Sequence, residues 1–201
     1  MIILILACAI IGYLFGSLSF AVWIAKGKGV NILEVGSRNP GATNVKRVLG
    51  RKAGNTVFVL DFLKGCLAVA VGLWIAGDYG GIAGAVGAVV GHSASIFIGF
   101  KGGKGVAVTM GGLLVLMPLV LISGVLVWVV TFYTTRFVSL ASILFALSLP
   151  LFGWWFHSIG WPVSKAMVVF AAVIAVLIVV RHRSNLVRLL KGDEHKFNRP
   201  S

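Results

Sequence analysis

Charge is scarce in this sequence. Only 11% of its 201 residues are Asp, Glu, Lys or Arg, while 59% are hydrophobic. Soluble domains carry roughly 25% charged residues, so a water-soluble globular fold is excluded in favour of an integral membrane protein. Cysteine is nearly absent. Cys8 and Cys66 both fall in apolar runs, where they read as small core residues and not as a disulfide framework. No basic residue precedes the first apolar run, which continues from Met1 to Ala25. It is too long and wrongly flanked for a cleaved signal peptide and reads as a first span. No long repeat and no separate soluble segment stand out, so 1–201 reads as a single transmembrane domain. No Walker A loop is present either. In GFKGGKG (99–105), Ile98 holds the first-glycine position and Gly105 follows Lys104, which excludes nucleoside triphosphate hydrolysis through that motif. No metal and no cofactor is expected.

The charge that is present has one sign. The formal net charge is +13, a value that could indicate nucleic acid or the bias of Lys and Arg toward the cytoplasmic ends of membrane spans. Their positions decide. Apolar stretches fall at 1–25, 53–77, 80–99, 105–134, 137–157 and 163–180. As one helix, 105–134 would reach about 45 Å, well beyond a hydrocarbon core of about 30 Å, and Pro118 near its middle breaks or kinks a helix. Two helices there give seven spans, with the N-terminus outside and the C-terminus cytoplasmic. Of the 18 Lys and Arg, all but Lys64 and Lys165 then lie in cytoplasmic segments. Six spans would put the basic tail outside, against the positive-inside rule. Topology therefore accounts for the charge, and no nucleic acid is expected. Trp23, Trp74, Trp154, Trp155 and Trp161 fall near span ends as interfacial anchors. The glycines of GIAGAVGAVVG (81–91) read as close helix packing.

Three cytoplasmic segments carry polar motifs. The centre of the first loop, GSRNPGATN (36–44), concentrates residues that turn the chain and point amides and hydroxyls at an anion. Ser37, Asn39, Gly41, Thr43 and Asn44 belong to it. ATNVKRVLG, with Lys46 and Arg47, reads as a short interfacial helix whose N-terminus adds a positive dipole end. A flexible basic loop attracting anionic headgroups is the bland alternative. In GFKGGKG, Gly102 and Gly103 can bring backbone amides close to an oxyanion, while Lys101 and Lys104 supply point charges. A tight turn with two positive-inside lysines is the alternative there. The last segment, RHRSNLVRLLKGDE (181–194), puts His182 and Asn185 on one face of a continuing helix. For His92 a structural hydrogen bond is the expectation. Inside the second span, Asp61 and Lys64 of LDFLKG are spaced to pair; they mark either function or mutual neutralisation. Ser139 and Ser142 of VSLAS, just past Arg136, are of the kind that bond back to their own helix.

Together GSRNPGATN, LDFLKG, GFKGGKGVA, VSLAS and HRSNLVRLLKGDE, in this order and over nearly the whole chain, resemble the bacterial acyl-phosphate-dependent glycerol-3-phosphate acyltransferases (PlsY-type). The resemblance implies a seven-span enzyme of the bacterial inner membrane, with its site facing the cytoplasm. It implies transfer of a fatty acyl group from acyl phosphate to the sn-1 hydroxyl of glycerol 3-phosphate, giving lysophosphatidic acid and phosphate. It implies no required protein partner. Residue by residue, it carries substrate-phosphate contacts to Ser37, Asn39, Thr43, Asn44 and Arg47, and to Lys104, Ser142, His182 and Asn185. Asn31 and Leu33 stand where the family often has Asp and Arg. Arg38 stands where it often has glycine, and Ser93-Ala94-Ser95 replaces a segment that usually holds an aromatic residue and proline.

Another large class of glycerol-phosphate acyltransferases uses a His-x4-Asp pair. Here the residues five after each histidine are Phe97, Pro162, Val187 and Pro200, so that pair is absent. The glycerol hydroxyl would lose its proton either to His182 or to a substrate phosphate oxygen. The alternative to an enzyme is a transporter or flippase for a phosphate-bearing lipid or small molecule, with Asp61 and Lys64 marking its path. The expectation to be tested is that residues 37–47, 101–105 and 182–185 converge on one cationic, amide-lined cavity at the lipid boundary.

Overall fold

The computed structural model describes residues 1–197; Arg199 of the basic tail, and Pro200, lie outside them. Among the described residues the protein is helical, apart from connecting loops, one 3₁₀ turn at Ile96–Ile98 and an isolated antiparallel bridge between Ser95 and Lys101. Helices α1 (Ile2–Ser17) and α2 (Phe20–Lys26) divide the first apolar run at Leu18, whose backbone is extended (φ −62°, ψ 109°). The break has little sequence signal beyond the serines around it.

Helix α3 (Ala42–Ser93) leaves helical geometry at Gly50 (φ 86°) and at Ala76–Gly77, where Gly77 has φ 59°. It therefore comprises three helical segments, 42–49, 51–75 and 78–93. The last two correspond to the expected spans 53–77 and 80–99. The second of them stops at Ser93, earlier than its apolarity suggests, because the chain turns there to form the Ser95–Lys101 bridge. The 105–134 run divides as proline chemistry predicts. Helix α4 (Val106–Leu116) ends before Met117 (φ −146°, ψ 68°), and α5 (Pro118–Thr135) begins with proline in its first turn, where the missing N–H costs nothing. Then follow α6 (Val138–Ser158), α7 (Lys165–Arg181) and α8 (Arg183–Lys191). Helices α7 and α8 meet at a bend of 59°.

Among the described residues, four stretches are long and apolar enough to cross a membrane: Ile2–Lys26, Ala42–Ser93, Pro118–Thr135 and Val138–Ser158. A fifth is added if the bent α7–α8 pair is one span.

The chain forms two compact units, Met1–Leu116 and a second beginning at Met117. In the first, α1 packs against segment 78–93 at backbone distance. A Cβ at Gly12 or Gly16 would strike the main chain of Gly84 or Ala88, and one at Gly87 or Gly91 would strike that of Ala9 or Tyr13. The glycines of 81–91 thus serve helix packing. A small apolar cluster of Ala21, Ala25, Ile32, Val45, Ala53 and Val57 lies beneath the first loop and ties it to α2 and α3. In the second unit α6 is central. Phe145 and Leu149 close on Gly124 of α5, and Val168 of α7 approaches Gly153.

Candidate functional site

The first loop is organised by Asn44. Its side chain is 1% exposed. The Oδ1 atom accepts the Ser37 amide (2.8 Å), and Nδ2 donates to the carbonyls of Ile32 (3.3 Å) and Val35 (3.1 Å). The Asn44 amide is therefore occupied in shaping residues 32–37. Gly36 sits on this hub with φ 60°, and a Cβ there would strike Asn44 Oδ1. Arg38 also has positive φ (57°). A side chain in this conformation costs about 1–2 kcal/mol. Ser37, Arg38 and Arg47 are exposed, while Asn39, Gly41 and Thr43 are half-buried. The segment 42–49 is helical, and Gly41 precedes it as N-cap. Lys46 lies directly over Gly54, so the turn at Gly50 folds this helix back on segment 51–75.

The glycine-rich loop lies along the C-terminal end of α3. Ser95 N–H donates to Lys101 O (3.0 Å), Phe100 N–H to Ser95 O (2.8 Å) and Gly103 N–H to His92 O (3.0 Å). The two adjacent glycines have a steric cause. A Cβ at Gly102 would fall on the main chain of His92 and Ser93, and one at Gly103 on His92 Nε2. Their bare Cα atoms face the protein, and the Gly103 amide is used within the chain. Lys101 is exposed and Lys104 half-buried. Gly105 (φ 82°) turns the chain into α4.

Behind this loop lies a buried charge cluster. Lys64 Nζ is 2.7 Å from Asp61 Oδ1 and donates to Leu18 O at 2.7 Å. His92 Nδ1 is 3.0 Å from the same ammonium. The expected Asp61–Lys64 pair is present, with His92 and the Leu18 carbonyl as members that spacing along one helix does not reveal.

In the second unit, His182 stands at the α7–α8 bend (φ −95°, ψ 7°), so it does not continue a straight helix. The chain changes there from an apolar run to RHRSN, and the bend follows that change. His182 is 3% exposed. Its Nδ1 meets the Ile178 carbonyl at 2.8 Å, and since a carbonyl only accepts, Nδ1 carries a ring proton. The Asn185 amide donates to His182 O (2.9 Å), so the two residues remain adjacent. Ser142 Oγ donates back to Val138 O (2.8 Å) and lies 3.3 Å from Trp128 Nε1, which donates to it.

Glu194 was not singled out by sequence. Its carboxylate accepts from Ser139 Oγ (2.7 Å), Asn185 Nδ2 (2.7 Å) and Arg188 Nε (2.8 Å). Burial pushes this carboxyl upward, but the hydrogen bonds from Ser139, Asn185 and Arg188, with the Arg188 charge, outweigh it and hold it below the ordinary carboxylate range. The available signal was the acidic pair Asp193-Glu194 in a basic tail. Phe197 N–H donates to Arg136 O (2.9 Å) and its ring meets Phe132, so the segment after α8 returns to the α5–α6 corner.

No group of three or more His, Cys, Asp or Glu side chains suited to a metal ion occurs among the described residues.

The family described as glycerol-3-phosphate acyltransferase matches residues 6–192. A glycerol-3-phosphate acyltransferase of Aquifex aeolicus is 44% identical, over 94% of this chain and 96% of its own. One from Halalkalibacterium halodurans is 43% identical, over 93% and 92%. A crystal structure of PlsY (YgiH), an integral membrane glycerol 3-phosphate acyltransferase in its glycerol 3-phosphate form, matches with TM-score 0.89 at 43% identity, covering 96% of each chain. The lysophosphatidic acid form of PlsY matches with TM-score 0.86.

Proposed function

The chain belongs to the glycerol-3-phosphate acyltransferase family, and from that premise we propose that it transfers a fatty acyl group from acyl phosphate to the sn-1 hydroxyl of glycerol 3-phosphate. The products are lysophosphatidic acid and inorganic phosphate. The observation that carries the proposal is the extent of the match, since residues 6–192 contain every candidate site residue read from the sequence. The two ligand states of the similar PlsY structure, with glycerol 3-phosphate and with lysophosphatidic acid, agree with acceptor and product.

Acyl phosphate is already activated, so positioning and charge stabilisation suffice for catalysis. Ser37, Asn39, Gly41, Thr43, Asn44 and Arg47 of the first loop would serve the phosphates, together with Lys101, Gly102, Gly103 and Lys104 of the glycine-rich loop. For Asn44 and Gly103 the role is indirect: one shapes its loop and the other anchors its own. Ser142, His182 and Asn185 complete the assignment. Either His182 or a substrate phosphate oxygen takes the glycerol proton.

The chain would act as a single transmembrane domain in the bacterial inner membrane, with seven spans, the N-terminus outside and the site cytoplasmic. The helix breaks at Gly77 and Met117 support that count. The segments would be α1, 51–75, 78–93, α4, α5, α6 and α7, of which α4, with 11 residues, is shorter than a full crossing, and helix 42–49 would lie at the interface. No cofactor and no protein partner is required.

The test is purified protein given acyl phosphate and glycerol 3-phosphate, with phosphate release followed and acyl-CoA as control donor. Release dependent on both substrates, and absent with acyl-CoA, is expected. Equal turnover with acyl-CoA would reject the donor assignment. Counterflow of labelled substrate in vesicles without chemical turnover would point to a transporter.

A further inference from the structure

Asp61, Lys64 and His92 are 2%, 2% and 8% exposed, and their arrangement exceeds what charge neutralisation needs. The break between α1 and α2 frees the Leu18 carbonyl, because the chain is extended there. Lys64 Nζ donates to it at 2.7 Å, pairs with Asp61 at 2.7 Å and meets His92 Nδ1 at 3.0 Å. Three electron-rich atoms thus surround an ammonium with three protons. An ammonium only donates, so Nδ1 of His92 accepts and the ring carries its proton on Nε2. That edge of the ring abuts Gly103, where a Cβ would fall on Nε2. The His92 carbonyl also accepts the Gly103 amide at 3.0 Å. The ring orientation, fixed at one edge by Lys64, fixes the backbone of Gly103 at the other.

We propose that Asp61, Lys64 and His92 form a buried positioning relay that holds the 102–104 backbone, and with it Lys104, in the conformation that receives substrate phosphate. The proposal rests on the reading of this loop as a phosphate site. None of the three residues touches substrate. A buried ion pair is weak ground for stability and is often replaced by apolar side chains without loss. The pair is retained here because its ammonium orients His92, and His92 sets the loop.

The experiment compares wild type, His92→Ala, His92→Gln, Gly103→Ala, the His92→Ala/Gly103→Ala double variant and Asp61→Asn/Lys64→Met. Each is purified in detergent, checked by thermal unfolding, and assayed for acyl transfer at varied glycerol 3-phosphate. A shift in loop position is expected to raise KM for glycerol 3-phosphate about tenfold in His92→Ala, with kcat changed by less than about threefold. His92→Gln, whose amide nitrogen reaches the Nε2 position, recovers most of that loss. Asp61→Asn/Lys64→Met raises KM in the same direction while unfolding near the wild-type temperature. Gly103→Ala is damaging alone, because its methyl collides with the His92 ring, but costs little more once the ring is gone.

A folded His92→Ala protein with wild-type KM overturns the relay. Should that variant not fold, Asp61→Asn/Lys64→Met decides: wild-type KM in that folded variant overturns it equally. So does a Gly103→Ala penalty of the same size with and without His92. Wild-type protein with no turnover would instead reject the acyltransfer reading, which separates the two failures.

Discussion

Replacing Glu194 removes three hydrogen bonds from one carboxylate. Its side chain is 8% exposed, and the donors Ser139 and Asn185 are each 6% exposed. Truncation to alanine removes the carboxylate acceptor of two buried donors, at about 1–3 kcal/mol each, and also breaks the charge-assisted bond to Arg188. The Arg188 side chain is 35% exposed and recovers water, so its share falls at the low end, about 1.5 kcal/mol. Glu194→Ala is therefore expected to cost about 4–7 kcal/mol by that reckoning. Glu194→Gln can keep an amide oxygen for Ser139 and Asn185 while facing Arg188 with a second donor. It should cost about 2 kcal/mol. The assay is thermal or denaturant unfolding in detergent for all three proteins across pH.

The sign follows from linkage. The folded carboxyl is held below its ordinary value. The stabilisation is therefore fully present above the unfolded carboxylate range, about pH 4–5, and is lost as pH falls through the folded value. The gap between wild type and Glu194→Gln should be constant at neutral pH and close in acid. A Glu194→Ala protein within about 0.5 kcal/mol of wild type, the scale of an ordinary surface change, would refute the reasoning. A gap unchanged down to acid pH would do the same.

Arg38→Gly should stabilise the protein by about 1 kcal/mol by relieving positive φ, read as a raised unfolding temperature; a destabilised variant would mean that the Arg38 side chain outweighs its backbone. Asn44→Ala should cost about 3 kcal/mol through the Ser37 amide and the two carbonyls it leaves, and protease should then cut within 32–38 of the folded protein; unchanged protection would remove Asn44 as the loop's organiser. Lys104→Ala should abolish acyl transfer in protein that still unfolds cooperatively, and near-normal turnover would remove Lys104 from the site. His182→Ala should raise KM for glycerol 3-phosphate with little loss of kcat if His182 binds, whereas a large loss of kcat at unchanged KM would identify it as the base.

The helical class was legible from apolar run length, and the division of 105–134 from Pro118. The breaks inside 1–25 and at Ser93 were not legible, because each depends on partners distant in sequence. Lys64 takes up the Leu18 carbonyl across 46 positions, and Ser95 Oγ donates to the Ser17 carbonyl across 78. The paired glycines of GFKGGKG suggested amides offered to an anion. Their geometry shows a second cause, close approach to His92 and Ser93, that composition alone cannot distinguish. Glu194 escaped notice because its three donors come from α6 and α8, and its value lies in that meeting.

The central claim is acyl transfer between two phosphate-bearing substrates, and ³¹P NMR of a single reaction tests it most directly. With purified protein, the acyl phosphate signal should decay while inorganic phosphate and lysophosphatidic acid grow in equal amounts. Decay of acyl phosphate to inorganic phosphate with the glycerol 3-phosphate signal unchanged would contradict the account.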